Sequence, residues 1–291
     1  MILGQTATGK SDLAVKIAVR LGRDNSEIIS ADSRQVYKGL DIGTGKITKK
    51  EMKSVPHHLI DVINPKNKFT VVEYKKLAEE KIKDILSRNK LPIICGGTGF
   101  YIDAITKGII FPEAPPNTKL RKKLEKKKAE ELFKIIRKLD PARARNIDEH
   151  NKVRLIRAIE IAKYLGKVPK IKEIEPPYSF IKIGLYLPPE ILKKNIEKRV
   201  RKMFDAGLLN EIKKLKKAGI SKKRLTEFGF EYNDPTYEKV VTETIKYTKR
   251  QMTWFKRPAR NAKGIAFAGR DEKIKWFDKP SKALTYLKKV I

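Results

Sequence analysis

Gly4-Gln5-Thr6-Ala7-Thr8-Gly9-Lys10-Ser11 fits the pattern G-x-x-x-x-G-K-[ST], and the residues on either side decide how it is read. Upstream stand the apolar Met1, Ile2 and Leu3. Downstream, residues 11–21 (SDLAVKIAVRL) set Leu13, Ile17 and Leu21 at helical spacing, with Ala14 and Ala18 beside them. Strand, glycine loop, helix is the setting of a P-loop rather than of a chance glycine turn. The glycines let backbone N–H groups turn inward on phosphate oxygens, Lys10 supplies a point charge, and the Ser11 hydroxyl can ligate Mg2+. The helix that follows directs the positive end of its dipole at the anion. Gly4, Thr6, Ala7, Thr8, Gly9, Lys10 and Ser11 are therefore candidates for a polyphosphate site. The motif leaves open which polyphosphate is bound and whether ATP is hydrolysed. Met1, Ile2 and Leu3 are fewer than the roughly five residues usual for a strand, which fits either a stunted first strand or a chain that begins late.

Working outward, the same alternation continues. Glu27-Ile28-Ile29-Ser30-Ala31-Asp32 reads as a short strand ending in polar residues. Residues 70–88 read as an amphipathic helix with Val72, Leu77, Ile82, Ile85 and Leu86 as its apolar set. Leu91-Pro92-Ile93-Ile94-Cys95 reads as a buried strand running into Gly96-Gly97-Thr98-Gly99. Strand, helix, strand, helix, strand predicts an α/β fold, a P-loop NTPase-like parallel sheet flanked by helices. Near residue 112 the style changes: Pro112, Pro115 and Pro116 punctuate the chain, and 118–165 is almost wholly helix-forming, with a break at Asp140-Pro141. Residues 180–187 (FIKIGLYL) alternate as a strand, so the chain returns to the sheet; helical patterns follow at 189–205, 207–218 and 236–254. The expected division is a catalytic core of 1–111 and 179–291 interrupted by a helical insertion domain, 112–178.

The chain has 291 residues, with 67 Lys and Arg against 34 Asp and Glu, a formal net charge of +33. Residues 1–111 carry +7, 112–180 carry +9 and 181–291 carry +17, so a polyanion surface is expected chiefly toward the C-terminal end. With 50 lysines among the basic residues, part of this charge is simply solvated surface. A single cysteine, Cys95, excludes a disulfide framework and any multi-cysteine zinc site; it reads as a small core residue rather than a nucleophile. No stretch approaches 18 consecutive apolar residues, and the first residues show no secretory signal, so a cytoplasmic protein without a membrane partner is expected.

Two further groups lie at strand C-terminal ends, where ligand crevices of parallel sheets form. Asp32-Ser33-Arg34-Gln35 follows the second strand. Its Asp could cap the next helix, bind a cation or meet a substrate. Gly96-Gly97-Thr98-Gly99-Phe100-Tyr101 follows the Cys95 strand and should face the same crevice as the P-loop. Gln251, Trp254 and Arg257 share a helical face near the C-terminal end; Trp254 reads as core packing rather than base stacking.

The P-loop, DSRQVYKGLDIGTGK (32–46), PHHLID (56–61), GGTGFY (96–101), VRLIRAIE (153–160), KRVRKMFDAGLLNEI (198–212), FGFEY (228–232) and YTKRQMTWFKR (247–257) occur in an order and spacing that resemble the bacterial-type tRNA dimethylallyltransferases, also called tRNA isopentenyltransferases. The resemblance covers nearly the whole chain. It implies transfer of a dimethylallyl group from dimethylallyl diphosphate to the adenine N6 of adenosine 37, beside the tRNA anticodon, with release of pyrophosphate. The P-loop would then hold a diphosphate leaving group, with Mg2+ on Ser11. By the same resemblance Asp32 is the general base, Thr98 touches the reacting end, and Arg199 joins Lys10 on the diphosphate, with Arg201 a competing assignment. The implied tRNA contacts are Asp32, Ser33, Arg34, Gln35 and Thr98, and in the insertion Arg121, Arg154 and Arg157; the expected partner is the anticodon stem-loop, met by a monomer. Departures are Gln5 for proline, Thr8 for serine, Gly45-Lys46-Ile47 for Ala-Lys-Pro, and Phe230-Glu231 for Tyr-Lys. Three other readings remain: an adenylate isopentenyltransferase acting on free nucleotides, a P-loop kinase of a small metabolite, and a non-catalytic RNA-binding module. The insertion and the charge favour tRNA over free nucleotides, and Asp32 and Thr98 beside an intact P-loop argue against a mere binding module.

Overall fold

The computed structural model describes residues 1–256 and 274–290; Arg257 lies outside them. β1 (Ile2–Gly4) enters the P-loop and α1 (Lys10–Leu21) leaves it. β2 (Ser26–Ala31), a short α2 (Lys49–Met52), β3 (His57–His58), α3 (Val71–Ser87), β4 (Leu91–Gly96) and α4 (Gly99–Thr106) follow. The second stretch holds β5 (Ile109–Ile110), α5 (Thr118–Leu124), α6 (Ala129–Leu139), α7 (Pro141–Ala144), α8 (Lys152–Leu165) and β6 (Lys172–Glu173). β7 (Ile183–Leu185), α9 (Pro189–Asp205), α10 (Leu208–Lys217), α11 (Lys222–Phe228), a 3₁₀ turn at Phe230–Tyr232, α12 (Tyr237–Phe255), β8 (Lys275–Phe277) and α13 (Pro280–Leu287) complete it.

The six-stranded sheet has the order β3-β2-β4-β1-β7-β8, and every pairing in it is parallel. Strand alternation divides its two faces. Ile2, Ile28, Ile93, Cys95 and Ile183 pack with Leu13, Ile17, Ala283 and Leu287 of α1 and α13. Leu3, Ile29, Ala31 and Ile94 pack with Tyr74, Ala78, Ile82 and Ile85 of α3 and with Tyr101, Ile102 and Ile105 of α4. Apolar side chains on both faces of a strand are what an all-parallel sheet requires. The first strand is indeed short, three residues, but it is central, with β4 on one side and β7 on the other.

The apolar stripe of α3 differs from the expected one. Tyr74, Ala78, Ile82 and Ile85 are buried, whereas Val72 and Leu86 are exposed. The helix is fixed at its start by a capping box between Thr70 and Glu73, and the buried set is spaced from there at i, i+4, i+8 and i+11. Leu91 is likewise exposed, although it lies in β4. The alternation at 180–187 yields a strand of three residues only, Ile183–Leu185. Among the C-terminal elements, α11, β8 and α13 were not anticipated.

The chain divides into Met1–Lys107 with Glu175–Ile291, and Gly108–Ile174. The joints therefore fall four residues before the expected 111/112 and 178/179. The reason is an antiparallel pair, Ile109 against Glu173 and Ile110 against Lys172, which joins the two ends of the second unit to each other. That unit has its own core of Leu124, Leu132, Ile136, Ala144, Leu155, Ile159 and neighbours. Its expected break is built by Asp140: Oδ1 accepts the Arg143 N–H at 2.9 Å and caps α7, Pro141 takes the first helical position, and Oδ2 accepts the Val168 N–H at 2.8 Å. Among the described residues no helix is long and apolar enough to cross a membrane.

Candidate active site

The parallel sheet brings the C-terminal ends of β1, β4 and β2 side by side, so three loops converge. The first is the P-loop. Ala7 (φ 61) and Gly9 (φ 83) are both left-handed with Thr8 between them, a turn that points successive amides to one side as an anion nest. The Gln5 carbonyl accepts hydrogen bonds from the Thr8 hydroxyl (2.8 Å) and from the Lys10 ammonium, so the loop is closed before any ligand arrives. Burial pushes the Lys10 ammonium down to about 8, and the Arg199 charge adds to that.

Two of the loop residues have other work. A Cβ on Gly4 would stand 2.2 Å from the Leu185 carbonyl oxygen, so this glycine lets β7 approach β1. The Thr6 N–H donates to Gln251 Oε1 at 2.8 Å and is thereby turned toward protein. The cradle proper is left to Ala7, Thr8, Gly9, Lys10 and Ser11, the last exposed at the start of α1.

The second loop follows β2. Asp32 Oδ1 accepts the Arg34 N–H at 2.8 Å and the Gln35 N–H at 3.3 Å, an Asx turn; no helix begins here, the next being α2 at Lys49, so the residue closes a turn and does not cap a helix. Oδ2 accepts no hydrogen bond from the described residues. Asp32, Ser33 and Gln35 are half-buried and Arg34 is exposed. The third loop follows β4. Thr98 occupies the N-cap of α4 but does not cap it: its Oγ1 accepts the Ser33 N–H at 3.0 Å, and its own N–H donates to the Ala31 carbonyl at 3.1 Å. Asp32 and Thr98 are thus tied through Ser33.

Arg199, on α9, enters the same group. Its Nη2 donates to the Thr44 carbonyl at 3.0 Å, and a Cβ on Gly45 (φ +55) would meet that nitrogen at 2.0 Å, so the glycine makes room for the guanidinium. Burial lowers the Arg199 pKa, while the negative charges of Asp32, Glu231 and Glu51 oppose this. Arg201, two residues on, stacks over the Tyr237 ring at 4.4 Å instead. Of the two arginines, Arg199 is the one that neighbours Lys10 and Asp32.

Three supporting residues were not legible as such. Glu211 on α10 accepts the N–H groups of Asp41, Ile42 and Gly43 at 2.9, 2.7 and 3.0 Å and the Tyr232 hydroxyl at 2.9 Å, fixing the 41–45 loop that holds Arg199. Gln251, buried on α12, bridges two of the loops. Glu231, marked in the sequence only as a departure, is pushed up to about 7 by burial, against the pull of Arg34 and Arg199. Glu211 and Gln251 are remote in sequence from what they touch, so no local pattern announces them. Trp254 is half-buried; a Cβ on Gly99 would lie 2.2 Å from its ring, and its Nε1 donates to Asp103 Oδ2 at 3.1 Å, which is packing, as expected. Burial raises the Cys95 thiol to about 11, in keeping with a core residue.

The remaining candidates lie in the unit 108–174. Arg121 donates through Nε and Nη2 to the two oxygens of Glu160 at 2.9 and 2.8 Å. Arg157 donates to Glu160 Oε2 at 2.5 Å and to the Ala114 carbonyl at 2.9 Å. Burial would raise the Glu160 carboxyl, but these hydrogen bonds and that of the Asn117 N–H hold it below its usual range. Both guanidiniums are therefore engaged within the unit. Arg154 differs: it is exposed, and its guanidinium makes no ion pair with the described residues.

A glycine-rich loop leaving the central strand of an all-parallel sheet, with helices on both faces, places the chain in the P-loop NTPase-like class. Residues 35–258 match the IPP transferase family. A tRNA dimethylallyltransferase of Pelotomaculum thermopropionicum is 38% identical over 276 residues, covering 88% of this chain and 87% of that protein. The crystal structure of the full-length tRNA isopentenylpyrophosphate transferase of Bacillus halodurans is 32% identical, with a TM-score of 0.68, covering 99% of this chain and 93% of that one. A eukaryotic dimethylallyltransferase acting on tRNA is 27% identical, with a TM-score of 0.74, over 88% of this chain and 69% of that one. The chain belongs to the tRNA dimethylallyltransferase (IPP transferase) family.

Proposed function

We propose that this protein is a cytoplasmic, monomeric transferase that moves a dimethylallyl group from dimethylallyl diphosphate to N6 of adenosine 37 in the anticodon stem-loop of tRNA. The observation that carries the reading is the convergence of an anion nest, two cations and a carboxylate: the P-loop with Lys10, Arg199, and Asp32 tied to Thr98 through Ser33. The naming of the relatives as tRNA-modifying transferases supports it.

In the reaction the allylic C–O bond breaks and its electron pair leaves on pyrophosphate. The adenine N6 supplies the pair for the new C–N bond, and its proton passes to Asp32. Negative charge grows on the leaving group, and the Gly9, Lys10 and Ser11 amides, the Lys10 ammonium and the Arg199 guanidinium are set to meet it without reorganising. Lys10 and Arg199 are held by carbonyls rather than carboxylates, so their charge remains available. Asp32 keeps one oxygen fixed by two amides, which orients the other. A base extruded from its stack needs polar edges, for which Ser33 and Gln35 stand ready. The exposed Ser11 hydroxyl is a hard oxygen of the kind magnesium takes together with phosphate oxygens and waters. Such an ion would neutralise the leaving diphosphate.

The test is incubation with tRNA and dimethylallyl diphosphate, followed by mass analysis of the nucleosides. A gain of one dimethylallyl group on adenosine 37 is expected. Modification of free AMP alone, or phosphorylation of an added metabolite from ATP, would overturn the reading in favour of the nucleotide transferase or the kinase.

A further inference from the structure

The P-loop and the loop that carries Thr98 leave the paired strands β1 and β4, and beyond that pairing one side chain bridges them. Gln251 is 6% exposed and comes from α12, far along the chain from both. Its Oε1 accepts the Thr6 N–H at 2.8 Å, and its Nε2 donates to the Gly97 carbonyl at 3.0 Å. Gly97 is shaped to this contact, since a Cβ there would stand 2.3 Å from Nε2. The next residue, Thr98, accepts the Ser33 N–H, and Ser33 adjoins Asp32. Thr6, Gln251, Gly97, Thr98, Ser33 and Asp32 thus form one continuous series of hydrogen bonds and peptide links from the anion cradle to the carboxylate.

We propose that Gln251 is a positioning residue that sets the spacing between the P-loop and the Thr98–Asp32 loops. The inference rests on the reading of the P-loop as the diphosphate cradle and of Asp32 as the base. Transfer requires the allylic carbon, fixed by its diphosphate, and N6, fixed opposite Asp32, to come within bonding reach. Neither loop alone determines that distance. An amide suits the task because it accepts from one backbone group and donates to the other. With an apolar side chain the half-buried Thr6 N–H and the buried Gly97 carbonyl would both lose their partners, and the loops would drift. A displacement of about 1 Å between reacting groups can cost about a hundredfold in rate.

The experiment compares the native protein with Gln251→Met and Gln251→Glu, using tRNA and dimethylallyl diphosphate. Gln251→Met should lower kcat by about tenfold to a hundredfold, while KM for the diphosphate and the tRNA Kd stay within about threefold, the split that lost alignment produces. Native-like kcat in this variant overturns the proposal, as does an effect confined to a rise in KM. Gln251→Glu guards against a variant that fails to fold. Its protonated carboxyl reproduces the amide, with the carbonyl accepting from Thr6 and the O–H donating to Gly97, whereas the carboxylate repels the Gly97 carbonyl. The ratio of its kcat to the native kcat should therefore rise by at least about threefold from pH 8 to pH 5.5. Taking the ratio removes the titration of Lys10, Glu231 and any other group that both proteins share. A flat ratio overturns the proposal. Absence of transfer by the native protein would instead overturn the functional reading on which the proposal rests.

Discussion

In the crevice, Lys10 and Arg199 are held by the backbone carbonyls of Gln5 and Thr44; in the helical insertion, Arg121 and Arg157 close on the buried carboxylate of Glu160. The residue types are alike but the partners are not. A carbonyl orients a cation and leaves its charge to act on something else, whereas a carboxylate neutralises it. The first arrangement is built to meet an anion, and the second holds together a small unit whose core is modest. The number of basic residues in a segment therefore says little about its capacity for phosphate until the partners are known.

The largest test of this contrast is Asp32→Ala. Prenyl transfer should fall by about a thousandfold, as for loss of a positioned general base, with tRNA binding by filter retention unchanged; near-native turnover would remove Asp32 from its role. Lys10→Ala should lower kcat/KM for dimethylallyl diphosphate by about a hundredfold, read by steady-state assay, without lowering the melting temperature. Glu160→Ala should do the reverse. It leaves two arginines without their carboxylate and should cost about 2 kcal/mol, less than a fully buried pair because both guanidiniums are partly solvated. Thermal unfolding reads this, and diphosphate KM should not move. A native-like melting curve would erase the distinction between the regions.

A smaller effect concerns pH. With its pKa at about 8, Lys10 is charged below that value and neutral above it. A neutral amine cannot balance a diphosphate, so kcat/KM for the diphosphate should decline above pH 8, about tenfold per unit at the limit. Lys10→Ala should abolish that limb. The smallest effect is expected of Arg154→Ala. As a single exposed cation it should weaken tRNA binding about threefold and reduce the salt slope by about one. An unchanged tRNA Kd and salt slope in Arg154→Ala would place the tRNA grip elsewhere than this unpaired charge suggests.

The loops that meet in the candidate site are legible in the sequence because their signals are local. The P-loop is eight consecutive residues, and Asp32 and Thr98 each follow a recognisable strand. Helix α9 fell where its pattern placed it because prolines at its start and a regular apolar stripe define it. The stripe of α3 does not follow residue type: Val72 and Leu86 are apolar yet exposed, while Tyr74 and the small Ala78 lie against the sheet. β8 has three residues, the first a lysine and the next after it Asp278, and it gains its place by pairing with β7 and by packing Trp276 and Phe277 against the cores. Gln251 and Glu211 act on backbone groups 154 to 245 positions away. Nothing in a linear pattern distinguishes such a side chain from any other glutamine or glutamate on a helix. Gly45 and Gly97 are the mirror of this: each is a glycine because of a distant side chain, Arg199 or Gln251, that fills the space of its missing Cβ.

Cys95 has a practical use that follows from where it lies. The sole thiol of the chain is buried in β4 and held in its protonated form at neutral pH, out of reach of alkylating reagents while the protein is folded. A cysteine introduced at Val153, which is 77% exposed beside Arg154, would then react alone. A fluorophore attached there would report in real time whether added tRNA reaches the insertion, on the otherwise unaltered protein.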